Sequence, residues 1–132
     1  MKTFINFVTG TLLTGIAYFL GGWDTALQTL VLVMVLDYIT GVFKAIKKKK
    51  LNSKTGIWGI IKKFGYLFIV ALAVVMDKIV GDTGAIRTMV IYFFVANDGI
   101  SILENWGQMG LPLPQKLHEV LEQLKNDNDP KN

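Results

Sequence analysis

The sequence predicts an all-α, multi-pass membrane protein, with four transmembrane helices followed by a short amphipathic helix in a C-terminal tail. Three observations carry this expectation. Of the 132 residues, 52% are hydrophobic and only 18% are charged, whereas about a quarter of a soluble domain is charged. The apolar residues gather into four segments, at about 4–21, 25–43, 64–80 and 85–105. Eight of the 14 Lys and Arg residues fall between Lys44 and Lys63. A chain of this length is one unit: residues 1–111 form the membrane region, with a basic loop at 44–63, and residues 112–132 form the tail.

The first segment, Phe4 to Gly21, has no charged residue over 18 positions, near the lower limit for a spanning helix. It is short and rich in Thr and Gly, so a shallow or interfacial helix is its alternative. No small-residue cleavage site follows, which argues against a removed signal peptide. Gly21-Gly22-Trp23-Asp24 reads as a tight turn with an interfacial aromatic. The second segment, Thr25 to Phe43, carries one charge, Asp37. The third, Phe64 to Val80, carries Asp77 and Lys78 near its end, where both can snorkel to the surface. The fourth, from Ala85, contains Arg87, Asn97 and Asp98, with Glu104 at its end. Helices of this length satisfy their own backbone groups in hydrocarbon.

Charge asymmetry sets the orientation. The run Lys44, Lys47, Lys48, Lys49, Lys50, Lys54, Lys62 and Lys63 should stay cytoplasmic, fixing topology and binding anionic lipid headgroups. The opposite connections, Gly22 to Asp24 and Gly81 to Gly84, contain acidic residues but no Lys or Arg. With four crossings, both termini are cytoplasmic; without the first, the amino terminus lies outside. All three prolines, Pro112, Pro114 and Pro130, lie in the tail. Between them Leu117, Val120, Leu121 and Leu124 recur at helical spacing, predicting an amphipathic helix over about 115–126 that starts after Pro114. Residues Asp127 to Asn132 are expected to be disordered.

Several functions are excluded. Without cysteine there is no disulfide, thiolate zinc site or cysteine nucleophile. His118 is the only histidine and lies in the tail, and no phosphate loop or metal spacing occurs, so neither an enzyme nor a cofactor is expected. The lysine run lacks interleaved stacking aromatics, so nucleic acid is not an expected partner.

The polar residues inside the apolar segments are the candidate site, because ionisable groups in a bilayer are costly unless paired or wetted. Asp37 and Asp98 each lie about 12 residues into segments that run in the same direction, roughly 18 Å down. Asp37, Thr40, Gly41 and Lys44 share one face. Asp98, Ser101, Asn105 and Gln108 form a stripe on the fourth segment, with Asn97 and Glu104 beside it. These residues meet across a subunit interface or line water once an assembly opens, or else they hydrogen-bond the helices into one bundle. On the first segment Thr3, Asn6, Gly10, Thr14 and Tyr18 form a polar, small stripe suited to close helix packing.

Three ordered motifs add a resemblance. They are Leu36-Asp37-Tyr38-Ile39-Thr40-Gly41, then Ser53-Lys54-Thr55-Gly56-Ile57-Trp58-Gly59 through Lys62-Lys63, then Asn97-Asp98-Gly99 through Glu104-Asn105 to Pro112 and Pro114. Together, over about residues 25–120, they resemble the phage holin family that includes the clostridial toxin-secretion holins. One departure is Asp98-Gly99, where the family pattern has Glu followed by a small residue such as Ala. The family motifs fall on Asp37, Thr40, Gly41, Ser53, Gly56, Gly59, Lys62, Lys63, Ser101, Glu104, Asn105, Pro112 and Pro114. The resemblance implies a homo-oligomer in the cytoplasmic membrane of a bacterial host. There it opens timed lesions through which an endolysin, its functional partner, is released or activated. An export channel for a large toxin or enzyme, an antiholin and a small selective channel are the competing functions.

Overall fold

The computed structural model describes residues 1–128. It is all-helical over that range, with five α-helices: α1 Lys2–Phe19, α2 Thr25–Lys47, α3 Ser53–Val80, α4 Ala85–Gln108 and α5 Gln115–Asn128. Three of them, α2, α3 and α4, are long and apolar enough to cross a membrane. The 18-residue α1 is outside that set, so the expected fourth span rests on sequence alone. From residue 129 onward, the tail expected to be disordered lies outside the described residues; residues 127 and 128 close α5.

Local chemistry accounts for the helix starts. Asp24 caps α2 by accepting a hydrogen bond from the Leu27 amide at 3.0 Å, and Asn52 caps α3 by accepting from the Lys54 amide at 2.8 Å. Lys44 and Lys47 occupy the last turn of α2, where cations complement the helix dipole. The cap at Asn52 makes α3 begin well before the apolar segment: residues 53–63, read from sequence as loop, are helical. The basic connection therefore shrinks to residues 48–52. A carboxamide cap and the absence of proline let the helix run back through polar residues until it meets the turn.

The α2, α3 and α4 helices form a bundle in which α2 and α4 run parallel and α3 runs against both. Asp24 meets Arg87 at one end and Lys47 meets the Met109 carbonyl at the other, while Asp77 on α3 reaches the start of α4. One stripe of each helix faces inward. At the Asp24 end it is apolar, and Leu27, Leu30 and Met34 of α2, Val70 of α3 and Ile91 of α4 form the core together with Leu20. Tyr66 stacks on Phe94 at its edge, with ring centroids 4.1 Å apart. Further along, the same stripes turn polar.

The first helix is placed differently. None of its residues is buried, and it joins the bundle at its end through Leu20 and through Tyr18, above which the Lys78 ammonium sits 5.6 Å from the ring centroid. The hydroxyls of Thr11 and Thr14 donate to their own helix, and Gly10 and Gly15 have no neighbour where a Cβ would point. The α5 helix lies against α4, with His118 and Glu122 half-buried and Leu117 and Val120 exposed.

Candidate functional site

Where the inward stripes become polar, all three helices contribute to one charged cluster. Lys63 of α3 donates to Asp98 of α4 at 2.9 Å and to Asp37 of α2 in a short contact. One ammonium thus serves two carboxylates, which stand at the same level of the bundle. Asp98 is the more enclosed, with its side chain 1% exposed. Asn105 of α4 extends the cluster, donating to the Thr40 hydroxyl at 3.0 Å and towards the Asp37 carboxylate at 3.4 Å. Asn97 donates to the Tyr66 hydroxyl at 3.1 Å, and the Lys63 ammonium lies 5.3 Å from the Tyr66 ring centroid. Among the described residues no buried side-chain nitrogen or oxygen lacks a partner, as low-dielectric surroundings require.

Small residues bring the helices this close. A Cβ on Gly56 would meet the Tyr38 hydroxyl at 3.2 Å, one on Gly59 would touch the Tyr38 ring at 3.7 Å, and Gly41 lies under Asn105. Of these motif positions only Gly56 is tight for a Cβ; at Gly41 and Gly59 the contact is ordinary, and the room there limits side chains larger than alanine.

The sequence-derived candidates separate into three groups. Asp37, Thr40, Gly41, Asn97, Asp98 and Asn105 come together at the cluster, and Ser101 lines the cleft beside it. Glu104 and Gln108 are exposed and do not join it. Lys63, grouped by sequence with the headgroup-facing lysines, is corrected to a partner of the cluster: with its ammonium on two carboxylates it is withdrawn from the basic surface. Its position three residues ahead of Tyr66 and seven ahead of Val70 on one helical face was the available signal.

At the opposite end stands a second polar arrangement, which sequence reasoning missed. Arg87 Nε donates to the Leu20 carbonyl at 2.6 Å, and its two terminal nitrogens bond Asp24 at 2.8 and 3.1 Å and the Gly22 carbonyl. The guanidinium beside Asp24 holds that carboxyl below its ordinary value. Gly21 has φ +91°, and a Cβ there would fall on the Arg87 side chain. Asp77, expected to snorkel outward, is instead 2% exposed. Its carboxylate accepts from the Ile86 and Arg87 amides at 2.9 Å each. Gly84 offers α4 no side-chain cap, so a neighbouring helix supplies one, favoured by the helix dipole.

Among the described residues no group of three or more His, Asp or Glu side chains is arranged to hold a metal ion. The cluster's chemistry is that of a polar tie between helices: it fixes register and depth, and exchanging its partners would expose charge.

Comparison with known proteins matches residues 14–126 to the bacteriophage holin family. A probable holin of Bacillus phage phi105 is 33% identical over 105 residues, covering 80% of this chain and 78% of that protein. An uncharacterised 14.9 kDa protein from the region 3′ of nagH in Clostridium perfringens is 42% identical, covering 96% of this chain and 98% of its own length. An uncharacterised Bacillus subtilis protein, YqxH, is 35% identical over 96% of this chain and 88% of its own. No solved structure matches.

Proposed function

Because the chain belongs to the bacteriophage holin family, we propose that it assembles as a homo-oligomer in the cytoplasmic membrane of a host bacterium. There it opens timed lesions that release or activate an endolysin and so permit lysis. The family is not one of enzymes, and the chain is a membrane protein through its three apolar helices. In this reading the lysine end and the C-terminus face the cytoplasm, by the excess of Lys near the 48–52 turn.

The observation that carries the mechanism is the contrast between centre and surface. The centre of the bundle is polar and fully paired within one chain, while the outer faces of α2, α3 and α4 are apolar and exposed. Such a molecule can keep the polar groups at its centre bonded without a neighbour. Lesion formation is then a change of partners. Above a threshold density the stripes carrying Asp37, Asp98, Lys63 and Asn105 repack between copies and enclose water, relieving the cost of keeping three charges in a largely buried setting. In this reading α1 spans the membrane, and its Asn6, Gly10 and Thr14 face joins the wetted surface.

The test is induced expression in bacteria with and without a cytoplasmic endolysin that lacks its own export signal, following culture density and a membrane-potential dye. Abrupt depolarisation with endolysin-dependent loss of density is expected. Depolarisation without that dependence would replace this reading with a small channel. No depolarisation at verified membrane abundance would replace it with an antiholin or structural partner. Within the same assay Asp98→Asn and Asp37→Asn, which each remove a carboxylate from the Lys63 cluster, should shift the time of lysis at equal abundance. Unchanged timing in both would overturn the partner exchange.

A further inference from the structure

From the charged cluster towards the lysine end, α2, the 48–52 turn, α3 and α4 line a cleft of about 470 Å³. It sorts the basic residues into two classes. Lys44, Lys48, Lys50 and Lys62 line it, whereas Lys49 and Lys54 do not, and Lys47 is occupied by the Met109 carbonyl. With Lys63, five lysines and two aspartates line one cleft, and both aspartates are already bonded to Lys63. Among the described residues, no carboxylate pairs with Lys44, Lys48, Lys50 or Lys62. Four lysines lining one concavity without a paired carboxylate make it electropositive. That potential favours an anion able to accept several charge-assisted hydrogen bonds.

We propose that this cleft is a binding site for the phosphate of a membrane phospholipid, held by Lys44, Lys48, Lys50 and Lys62. The outer surface at this level supports a lipid over a soluble phosphate compound. Phe43 and Ile46 on α2, and Ile57, Trp58, Ile60 and Ile61 on α3, are all exposed. These exposed apolar faces place the cleft at the edge of the bilayer, within reach of acyl chains, and Trp58 suits the interfacial level. The polar wall of Asn52 and Thr55, also lining the cleft, is placed for a glycerol or a headgroup hydroxyl. The site follows from the membrane placement alone and does not depend on lesion formation. An occupying lipid would fill the gap between α2 and α3 beside the charged tie.

The experiment uses the full chain in lipid nanodiscs of phosphatidylcholine with a minor fraction of phosphatidylglycerol, reading retained lipid by native mass spectrometry. The double variant Lys44→Gln/Lys62→Gln is compared with Lys49→Gln/Lys54→Gln, which removes the same charge away from the cleft. A second cleft variant, Lys48→Gln/Lys50→Gln, lies on the turn, where folding is little affected. Each cleft variant should weaken phosphatidylglycerol retention by on the order of 25-fold, at about one lysine-headgroup contact per residue. The control should retain it within about threefold. Equal losses in cleft and control variants would overturn the site in favour of general attraction to a basic surface. Retention by all variants alike would overturn it outright. Inorganic phosphate at millimolar concentration should leave retention unchanged. If it displaced the lipid and bound with equal affinity in pure phosphatidylcholine, the lipid assignment would fall and the ligand would be a soluble phosphate.

Discussion

Lys63 shows how one side chain decides the character of the bundle. A single ammonium on two carboxylates leaves the cluster one negative charge in excess, and any change of partner there is felt at once. Replacing Lys63 with Met would strand Asp37 and Asp98 against each other in a nearly dry setting. Removing one partner of a buried pair costs about 3–5 kcal/mol. Lys63→Met should therefore lower the midpoint of unfolding in mild detergent strongly, and Asp98→Asn on that background should recover part of the loss. A loss below about 1 kcal/mol would show that the tie contributes little. Asp24 offers the opposite case, half-exposed and paired to Arg87. Its carboxyl titrates below the ordinary value of 3.8 in the folded state. The pair's stabilisation is thus complete above that value and lost as pH falls through the lower, folded one. Acidifying from about pH 5 to about pH 2.5 should destabilise the wild-type protein more than Asp24→Asn, whose midpoint starts lower. Equal acid sensitivity would remove Asp24 from the account.

At the scale of elements, helix separation is set by what lies between backbones. The Tyr38 side chain lies against α3, its hydroxyl 3.2 Å from where a Cβ on Gly56 would stand and its ring 3.7 Å from one on Gly59. At Gly59 a Cβ makes ordinary contact, so Gly59→Ala should be tolerated or stabilise slightly, since alanine favours helix by about 1 kcal/mol. Gly59→Leu should cost about 1–3 kcal/mol through overpacking and loosen Lys63, one turn further along. Thermal unfolding of the three proteins in one detergent orders them; leucine as stable as alanine would mean that α2 and α3 are not in register through Tyr38. The α1 helix lies at the other extreme. Its apolar side chains are exposed all round, so substitutions there are expected to alter association more than folding.

For the whole molecule the open question is which ends face which side. The chain has no cysteine, so single cysteines report accessibility cleanly. With a membrane-impermeant thiol reagent on intact cells, Asp82→Cys should be labelled and Lys49→Cys protected. Lys2→Cys separates the two readings of α1: protection means that it crosses, and labelling means that it does not. Labelling of Lys49→Cys would invert the orientation proposed here. Much of this scale was legible from the chain, because segment length, hydropathy and the position of lysines are one-dimensional quantities. Boundaries were less so. The polar first turns of α3 read as loop until its Asn52 cap and the Tyr38 contact were visible.

The sequence by itself determined the helical class, the three long apolar helices, the polar stripes on the second and fourth segments and the family resemblance, since each depends only on composition and local period. Tertiary structure decided which polar groups meet. It took Lys63 from the basic run and set it between Asp37 and Asp98, buried Asp77 as the cap of α4 and turned Arg87 onto the Gly21–Asp24 turn. The physical reason is that a charge in a low-dielectric bundle is governed by the nearest opposite charge in space, and helix pairing brings together residues up to 68 positions apart.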